Sequence, residues 1–400
     1  MLNLRPDIKE CEALLKALVC RNTSQPEGNE GPLADWILER LLQKDSFQRL
    51  TYQFLEHGGH RKTLIVKING AQDGRGTAFA GHLDTVDCAE NKNWKYPPLD
   101  AVVTEDGFLY GRGAADMKSG VASMILTAEY LLNRAEPLAE PVFFCFTADE
   151  EKDGAGAKAL AKSPCMEEIR QLVICEPSSG KIGYCEKGAL WLAVEIHGAS
   201  AHASRPEIGL NAIEYAMKFE REFRRFAAGK TRHKELGENT MSITRFQGGV
   251  MTNIIPDEAL MEMDIRTVPG TSHTSLISHA RELARTMEAE CPSLQCHVSV
   301  MNNRPAVETK EEHPLVRNMQ NAARSCQMSG ELRGLYFYTD ASQLVPEKGL
   351  PFVIAGPGDD RMAHCVNEKV ALSDVAEMTE VYIRLLEDKR SETDEQRSTK

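Results

Sequence analysis

The first 175 residues alternate between a helical and a strand-like spacing of apolar positions. The helical spacing predicts helices over 7–19, 33–42 and 119–132. Short apolar runs predict strands over 63–68, 77–80, 141–147 and 171–175. Because a helix separates the first two strands from the last two, we expect a largely parallel α/β sheet that helices cover on both faces.

A different order of elements begins near Lys187. Strands are predicted over 189–197, 240–246, 259–267 and 295–300, and helices over 211–226 and 274–287. The order strand, helix, strand, strand, helix, strand is that of a ferredoxin-like unit. We therefore expect an inserted α+β domain over 187–302.

After the insertion the chain returns to the first pattern, with a helix predicted over 314–325, a strand over 352–354 and a helix over 373–386. The predicted organisation is thus a first domain in two segments, 1–186 and 303–387, interrupted by the insertion. The tail, 388–400, is nearly all charged or polar and is expected to be disordered.

Composition excludes some partners. The chain has 400 residues and a formal net charge of −12, which argues against nucleic acid or an anionic membrane, since both attract clustered Lys and Arg. Its eleven cysteines include no Cys-x-x-Cys pair, as expected for reduced thiols in a cytoplasm. Charged residues within the first ten positions argue against a signal peptide, and no apolar run approaches the length of a membrane span.

Five short motifs with acidic residues and histidine occur in a fixed order. They are GHLD at 81–84, GRGAADMK at 111–118, ADEE at 148–151, CEP at 175–177 and AHCVNE at 363–368. Three of them directly follow apolar strand-like runs, and in an open parallel sheet the carboxyl ends of the strands face one crevice. Imidazole and carboxylate groups bind zinc, and two zinc ions that share a bridging carboxylate need about five such ligands.

Each motif alone has an ordinary structural explanation. His82 or His364 could be a surface or core histidine, and Asp116 could be a turn or helix-cap residue. The pair Glu150–Glu151 could belong to a solvated charge run. Only the ordered set favours a metal centre.

The ordered set resembles the dinuclear zinc family of acetylornithine deacetylase, succinyl-diaminopimelate desuccinylase, glutamate carboxypeptidase and related aminoacylases and dipeptidases. The resemblance covers about residues 10–386 and is most specific at 81–86, 111–120 and 356–364. It implies a zinc-exopeptidase-like catalytic domain with a mostly parallel sheet. The insertion would then be the ferredoxin-like dimerisation domain of a homodimer.

The resemblance also implies a ligand set for two Zn²⁺ ions per subunit. Asp116 would bridge both ions, His82 and Glu176 would complete one site, and Glu151 and His364 would complete the other. Co²⁺ or Mn²⁺ could use the same ligands.

Two further carboxylates take catalytic roles by the same resemblance. Asp84 would fix the tautomer of the ligand His82. Glu150 would bind no metal and act as the general base. An amide is a poor electrophile, so its hydrolysis needs an activated water, and a carboxylate beside that water can accept its proton.

Residues of the insertion resemble those with which the family's dimerisation domain completes the active site. His202, in GASAHASRP at 198–206, would reach the active site of the other subunit and stabilise the tetrahedral oxyanion, although it could also be only a loop histidine. Arg266 and Asn253 resemble residues that hold the substrate carboxylate or line that site. A guanidinium can bind a carboxylate with two parallel hydrogen bonds, but Arg266 could instead make only a strand-edge ion pair.

The implied function is hydrolysis of the amide bond of a small N-acyl amino acid. The alternatives are a dipeptidase or carboxypeptidase with the same site, or a metal-binding homologue without activity. The sequence departs from the family pattern at two places, so the substrate side chain that it recognises stays open. The segment 336–342 matches neither deacylase closely, and Lys187 stands near where desuccinylases carry arginine.

Overall fold

A computed structural model describes residues 4–88, 93–229 and 231–387. The predicted tail, 388–400, lies outside the described residues. The chain divides into two compact units, described in the parts of their ranges that the structure covers. The first comprises Met1–Tyr184, Glu308–Arg333 and Thr339–Lys400, and the second comprises Cys185–Val307 and Gly334–Tyr338.

The helices in the described residues are α1 (Ile8–Val19), α2 (Glu30–Lys44), α3 (Lys118–Leu132), α4 (Ala155–Ala161), α5 (Ala212–Ala227), α6 (His273–Glu290), α7 (Pro314–Ser325), α8 (Ala341–Leu344) and α9 (Leu372–Glu387). The strands are β1 (Leu50–Glu56), β2 (Lys62–Ile68), β3 (Gly76–His82), β4 (Val102–Val103), β5 (Phe108–Tyr110), β6 (Val142–Thr147), β7 (Ile169–Ile174), β8 (Ile182–Glu186), β9 (Gly188–His197), β10 (Ala201–His202), β11 (Arg232–His233), β12 (Gly237–Glu238), β13 (Thr240–Gly248), β14 (Ile254–Ile255), β15 (Glu258–Thr267), β16 (Gln295–Arg304), β17 (Val307–Glu308), β18 (Leu332–Leu335), β19 (Phe352–Ile354) and β20 (Lys369–Ala371).

The main sheet of the first unit has the order β1-β2-β6-β3-β7-β19, followed by β8. Its centre, β6-β3-β7-β19, is parallel, whereas β1, β2 and β8 join antiparallel. Every residue of β3 and β6 is buried, as expected for parallel strands that are covered on both faces. The predicted largely parallel core is therefore present, with antiparallel strands at its flanks.

Helix α2 shows how local chemistry sets an element boundary. The sequence predicted a start at Leu33, directly after Pro32, but the helix begins at Glu30. Proline is tolerated in the first turn of a helix because the N–H that it lacks would have no intrahelical partner there. The buried side chains of Leu33, Ile37 and Leu41 form the apolar stripe of the helix.

The second unit contains the four-stranded antiparallel sheet β13-β15-β9-β16. Alternate side chains of β9, such as Leu192 and Val194, are fully buried and share one core with α5 and α6. This βαββαβ arrangement is the predicted ferredoxin-like unit. The predicted insertion, 187–302, lies inside the second unit, which also takes in 185–186, 303–307 and 334–338.

Strand β13 forms an edge of this sheet, and it is exposed along nearly its whole length. Its apolar side chains Ile243 and Phe246 are 41% and 39% exposed. The turn that follows adds Val250 and Met251, at 82% and 64% exposure. The second unit thus carries an exposed apolar edge.

Candidate metal centre

The carboxyl ends of three neighbouring parallel strands position three of the predicted ligands, His82, Glu151 and Glu176. His82 ends β3 and pairs with Thr147 at the end of β6, directly before the ADEE motif. On the other side, Ala80 of β3 pairs with Ile174, the last residue of β7. Glu176 follows two residues later, so these side chains converge at one edge of the sheet.

Asp116 lies between the two histidines. Its Oδ1 is 3.2 Å from Nε2 of His82, and its Oδ2 is 3.4 Å from Nε2 of His364. The His82 Nε2 atom is also 3.4 Å from Oε1 of Glu176, and Nε2 of His364 is 2.9 Å from Oε2 of Glu151. Each oxygen of the Asp116 carboxylate therefore faces one histidine–glutamate pair, which is the arrangement that a bridging carboxylate requires.

Electrostatics in this cluster favour a cation. Burial alone would lower the pKa of His82, but the carboxylates of Glu176 and Asp116 raise it well above its usual value. A hydrogen bond to Glu151 raises the pKa of His364 to about 9. Burial raises the pKa of Glu176 to about 7, and the charge of Asp116 adds to that rise. The two imidazoles and the Glu176 carboxyl group thus hold protons where a divalent cation could replace them.

The donor set fits zinc. Two imidazole nitrogens and three carboxylates are the ligand types that zinc takes in proteins. Ligand atoms of His82, Asp116 and Glu151 lie within 4.8 Å of one another. In addition, Oε1 of Glu151 is buried and has no hydrogen-bond partner among the residues that the structure describes, which leaves this oxygen available to a ligand.

The tautomer of His82 is fixed by a backbone group. Its Nδ1 atom lies 2.9 Å from the carbonyl oxygen of Asp84, whereas the Asp84 carboxylate is 3.6 Å away. A carbonyl oxygen can only accept, so Nδ1 carries the proton and donates it. The Nε2 lone pair of the neutral ring then points toward Asp116 and Glu176, as a metal ligand requires.

The Asp84 carboxylate instead holds the segment that carries the two adjacent glutamates. Oδ1 accepts the backbone N–H of Glu150 at 3.0 Å, and Oδ2 accepts that of Glu151 at 3.0 Å. The Nε2 group of Gln25 donates to Oδ2 at 2.8 Å. Asp84 is fully buried, so it links the end of β3 to the segment after β6.

Two residues of this network had no predicted role. Gln25 accepts a hydrogen bond from Nη2 of Arg61 at 2.7 Å, and Arg61 also pairs with Asp149. Asp149 directly precedes Glu150. Gln25 and Arg61 come from polar loops without a periodic pattern, and the only signal that could have found them is their side-chain chemistry, which is common in surface loops.

His202, Asn253 and Arg266 belong to the second unit. His202 is exposed, and its Nδ1 accepts the backbone N–H of Ser204 at 3.1 Å. The carbonyl oxygen of Asn253 accepts the N–H of Ala203 at 2.9 Å. Arg266 makes a two-pronged ion pair with Asp264, at 2.9 and 3.0 Å. The predicted contributions of these three residues to catalysis and substrate binding stay predictions.

Comparisons with known proteins bear on the same features. Residues 78–388 match the model of Peptidase family M20/M25/M40. The chain is 28% identical over 359 residues to a probable succinyl-diaminopimelate desuccinylase of Staphylococcus aureus (strain N315), covering 82% of this chain and 86% of the relative. It is 28% identical over 387 residues to an acetylornithine deacetylase of Myxococcus xanthus, covering 93% and 95%.

A solved structure shows the same fold. The crystal structure of aminopeptidase PepT from Bacillus cereus ATCC 10987 superposes with a TM-score of 0.77 and 22% sequence identity, covering 96% of this chain and 99% of that one. The predicted fold class and the family resemblance of the motifs are confirmed by these matches.

Proposed function

Because the chain belongs to Peptidase family M20/M25/M40 and is a hydrolase of that family, we propose that it deacylates a small N-acyl amino acid by cleaving the amide bond. The position of Asp116 carries this proposal. Its two carboxylate oxygens face His82 and His364 at 3.2 and 3.4 Å, as a group shared by two cations would. The likeness to a desuccinylase and a deacetylase over most of the chain supports the choice of reaction.

The proposed ligands are Asp116 for both ions, His82 and Glu176 for one, and Glu151 and His364 for the other. Zinc suits this donor set best, and Co²⁺ or Mn²⁺ are the alternatives. When bound, such cations act as Lewis acids that polarise a carbonyl oxygen and make water a stronger nucleophile at neutral pH.

Glu150 is the proposed general base. It adjoins the ligand Glu151 in sequence, it is 6% exposed, and Asp84 holds its backbone N–H. A Glu150 carboxylate oxygen would accept the proton of the attacking water and later deliver it to the departing amine nitrogen. The scarcity of competing solvent at a buried carboxylate favours this transfer.

His202 is the proposed oxyanion group. Because its Nδ1 accepts from Ser204, the proton of the neutral ring is on Nε2, which can donate to the negative oxygen of the tetrahedral intermediate. Arg266 and Asn253 would bind the substrate carboxylate and line the site. By resemblance, His202 serves the active site of the partner subunit.

A homodimer is part of the proposal, and the exposed edge of the second unit supports it. Edge strands present unpaired N–H and C=O groups that can pair with another chain. Strand β13 is such an edge, with the exposed apolar side chains of Ile243 and Phe246 in it and those of Val250 and Met251 directly after it. A second copy would cover them.

The proposed location is the cytoplasm. All eleven cysteines lie in the described residues, and none of them forms a disulfide there, as is usual in a reducing compartment. Among the described helices, none has the length and apolarity that crossing a membrane requires.

Peptide hydrolysis is the second candidate. The curated relatives are deacylases by name, whereas the similar solved structure is an aminopeptidase. A dipeptidase or carboxypeptidase could use the same metal ligands and the same base. The third candidate is a metal-binding homologue without activity. The presence of both Glu150 and His202 argues against it, because neither residue is a proposed metal ligand.

A substrate screen separates these candidates. The zinc-loaded protein would be assayed with N-acetyl, N-succinyl and dipeptide forms of the same amino acids, and kcat/KM would be compared within each set. The proposal predicts the highest kcat/KM for an N-acyl form. Turnover of dipeptides alone would select the peptidase, and zinc binding without any turnover would select the inactive homologue.

A further inference from the structure

The Glu368 side chain ends the AHCVNE motif, and four donors surround its carboxylate. Oε1 accepts the backbone N–H of Ala115 at 2.8 Å and that of Asp116 at 2.9 Å. Oε2 accepts the N–H of Gly113 at 2.9 Å and Nη1 of Arg112 at 2.8 Å. Glu368 is fully buried. All four donors belong to 112–116, in the loop that carries Asp116 and leads into α3.

Arg112 ties the same loop to the segment that carries His364. Its Nη1 also donates to the carbonyl oxygen of Cys365 at 3.2 Å, and Cys365 follows His364 directly. The backbone N–H of Gly111 donates to the carbonyl oxygen of Glu368 at 3.0 Å. Two segments that are about 250 residues apart in sequence, and that each supply a proposed ligand, are therefore joined at several points.

His364 depends on this anchorage more than the other proposed ligands do. Its side chain is 56% exposed, whereas that of His82 is 2% exposed. Surrounding groups enclose the ring of His82, but more than half of the His364 side chain is open to solvent. The position of its Nε2 relative to Asp116 is thus set mainly by where its backbone is tied.

We propose that Glu368 is a positioning residue that fixes Asp116 relative to His364 and so sets the geometry of the second cation site. A carboxylate is the group that suits four donors, because both of its oxygens only accept. In Glu368→Gln, the NH₂ group would replace one of the two oxygens, and the two donors on that side would lose their acceptor. The inference rests on the proposed metal centre, and it assigns to Glu368 no contact with substrate or cation.

The test compares zinc affinity in Glu368→Gln and in a matched control. Glu129→Gln also removes a buried carboxylate paired with an arginine, since Glu129 is 4% exposed and its Oε1 lies 2.6 Å from Nε of Arg40. It lies on α3, about 16 Å along the helix from Lys118. Competition with a chromophoric chelator measures zinc affinity, and thermal unfolding of the metal-free proteins measures stability.

We expect Glu368→Gln to weaken the more weakly held zinc by about 10- to 100-fold, the usual effect of losing a group that orients a metal ligand. Glu129→Gln should keep the wild-type affinity even if it unfolds at a lower temperature. Glu368→Asp keeps a carboxylate and should recover part of the affinity. The visible spectrum of the Co²⁺-loaded protein should change in Glu368→Gln and not in Glu129→Gln, since it reports ligand geometry and not stability.

Several results would overturn the inference. Equal zinc affinities and equal Co²⁺ spectra in wild type and Glu368→Gln would show that Glu368 only supports the fold. If Glu368→Gln does not fold, Arg112→Met takes its place; it removes the Nη1 donor that bonds both Glu368 and Cys365, and an unchanged affinity there would count equally against the inference. A wild-type protein that binds no zinc would instead refute the proposed function itself.

Discussion

Replacing Asp84 by asparagine tests the link between the sheet and the proposed base. Asp84→Asn keeps the size of the side chain but exchanges one acceptor oxygen for an NH₂ group. In one orientation the NH₂ faces the N–H of Glu150. In the other it faces the N–H of Glu151 and the amide of Gln25. At least one buried N–H therefore loses its acceptor, whichever orientation is taken.

The expected size follows from these contacts. A hydrogen bond to a charged group contributes about 1.5–3 kcal/mol, so the free energy of unfolding should fall by about that amount. When the NH₂ faces Glu150, only the backbone N–H of Glu150 loses its acceptor, so one hydrogen bond is lost and not two. This orientation is therefore the favoured one. It releases the backbone of the proposed base, and a misplacement of about 1 Å can reduce the rate by about a hundredfold. We expect kcat to fall by that factor at saturating zinc.

Denaturant unfolding and steady-state kinetics with saturating zinc measure the two effects. Asp35→Asn is the control, because Asp35 pairs with Lys62 near the surface, at 2.5 Å, with 49% of the aspartate and 17% of the lysine side chain exposed. Such a pair contributes about 0–1 kcal/mol, and its loss should leave kcat unchanged. An Asp84→Asn protein that matches Asp35→Asn in both stability and kcat would show that the Asp84 carboxylate does not hold the proposed base in place.

Three further predictions concern catalysis and binding. Glu150→Ala should lower kcat by at least about a hundredfold and keep two zinc ions per chain by elemental analysis; loss of a zinc would assign ligation to Glu150 instead. Inactive His202→Ala mixed with inactive Glu150→Ala should regain activity after subunit exchange, and heterodimers that stay inactive would contradict a role across the dimer. Arg266→Lys should reduce kcat/KM more for a substrate with a free α-carboxylate than for its amide, because an ammonium lacks the planar fork. Equal fold losses on the two substrates would rule out carboxylate binding.

Much of the fold could be predicted because its central strands and its helices bury whole faces. The strand prediction 352–354 and the helix prediction 314–325 match the observed bounds of β19 and α7. Strand β1 was missed because an edge strand buries little; its residues are mostly exposed or half-buried and give no alternating signal. Strand β13 was predicted only to Phe246 and runs to Gly248.

The site could be predicted in part for a related reason. His82 and Glu176 follow buried strands, so the strand pattern already places them at one edge of the sheet. The direction of the Asp84 carboxylate could not be predicted, since it depends on N–H groups that are 66 and 67 residues away in sequence. The role of Glu368 has the same origin, because loop backbone donors leave no mark on the sequence pattern.

The two-cation site is the central claim, and anomalous diffraction at the zinc edge from zinc-saturated crystals tests it most directly. We expect two peaks about 3.5–4 Å apart, both in contact with Asp116. One peak should lie beside His82 and Glu176, and the other beside Glu151 and His364. A single peak at saturating zinc, or peaks that Asp116 does not contact, would contradict it.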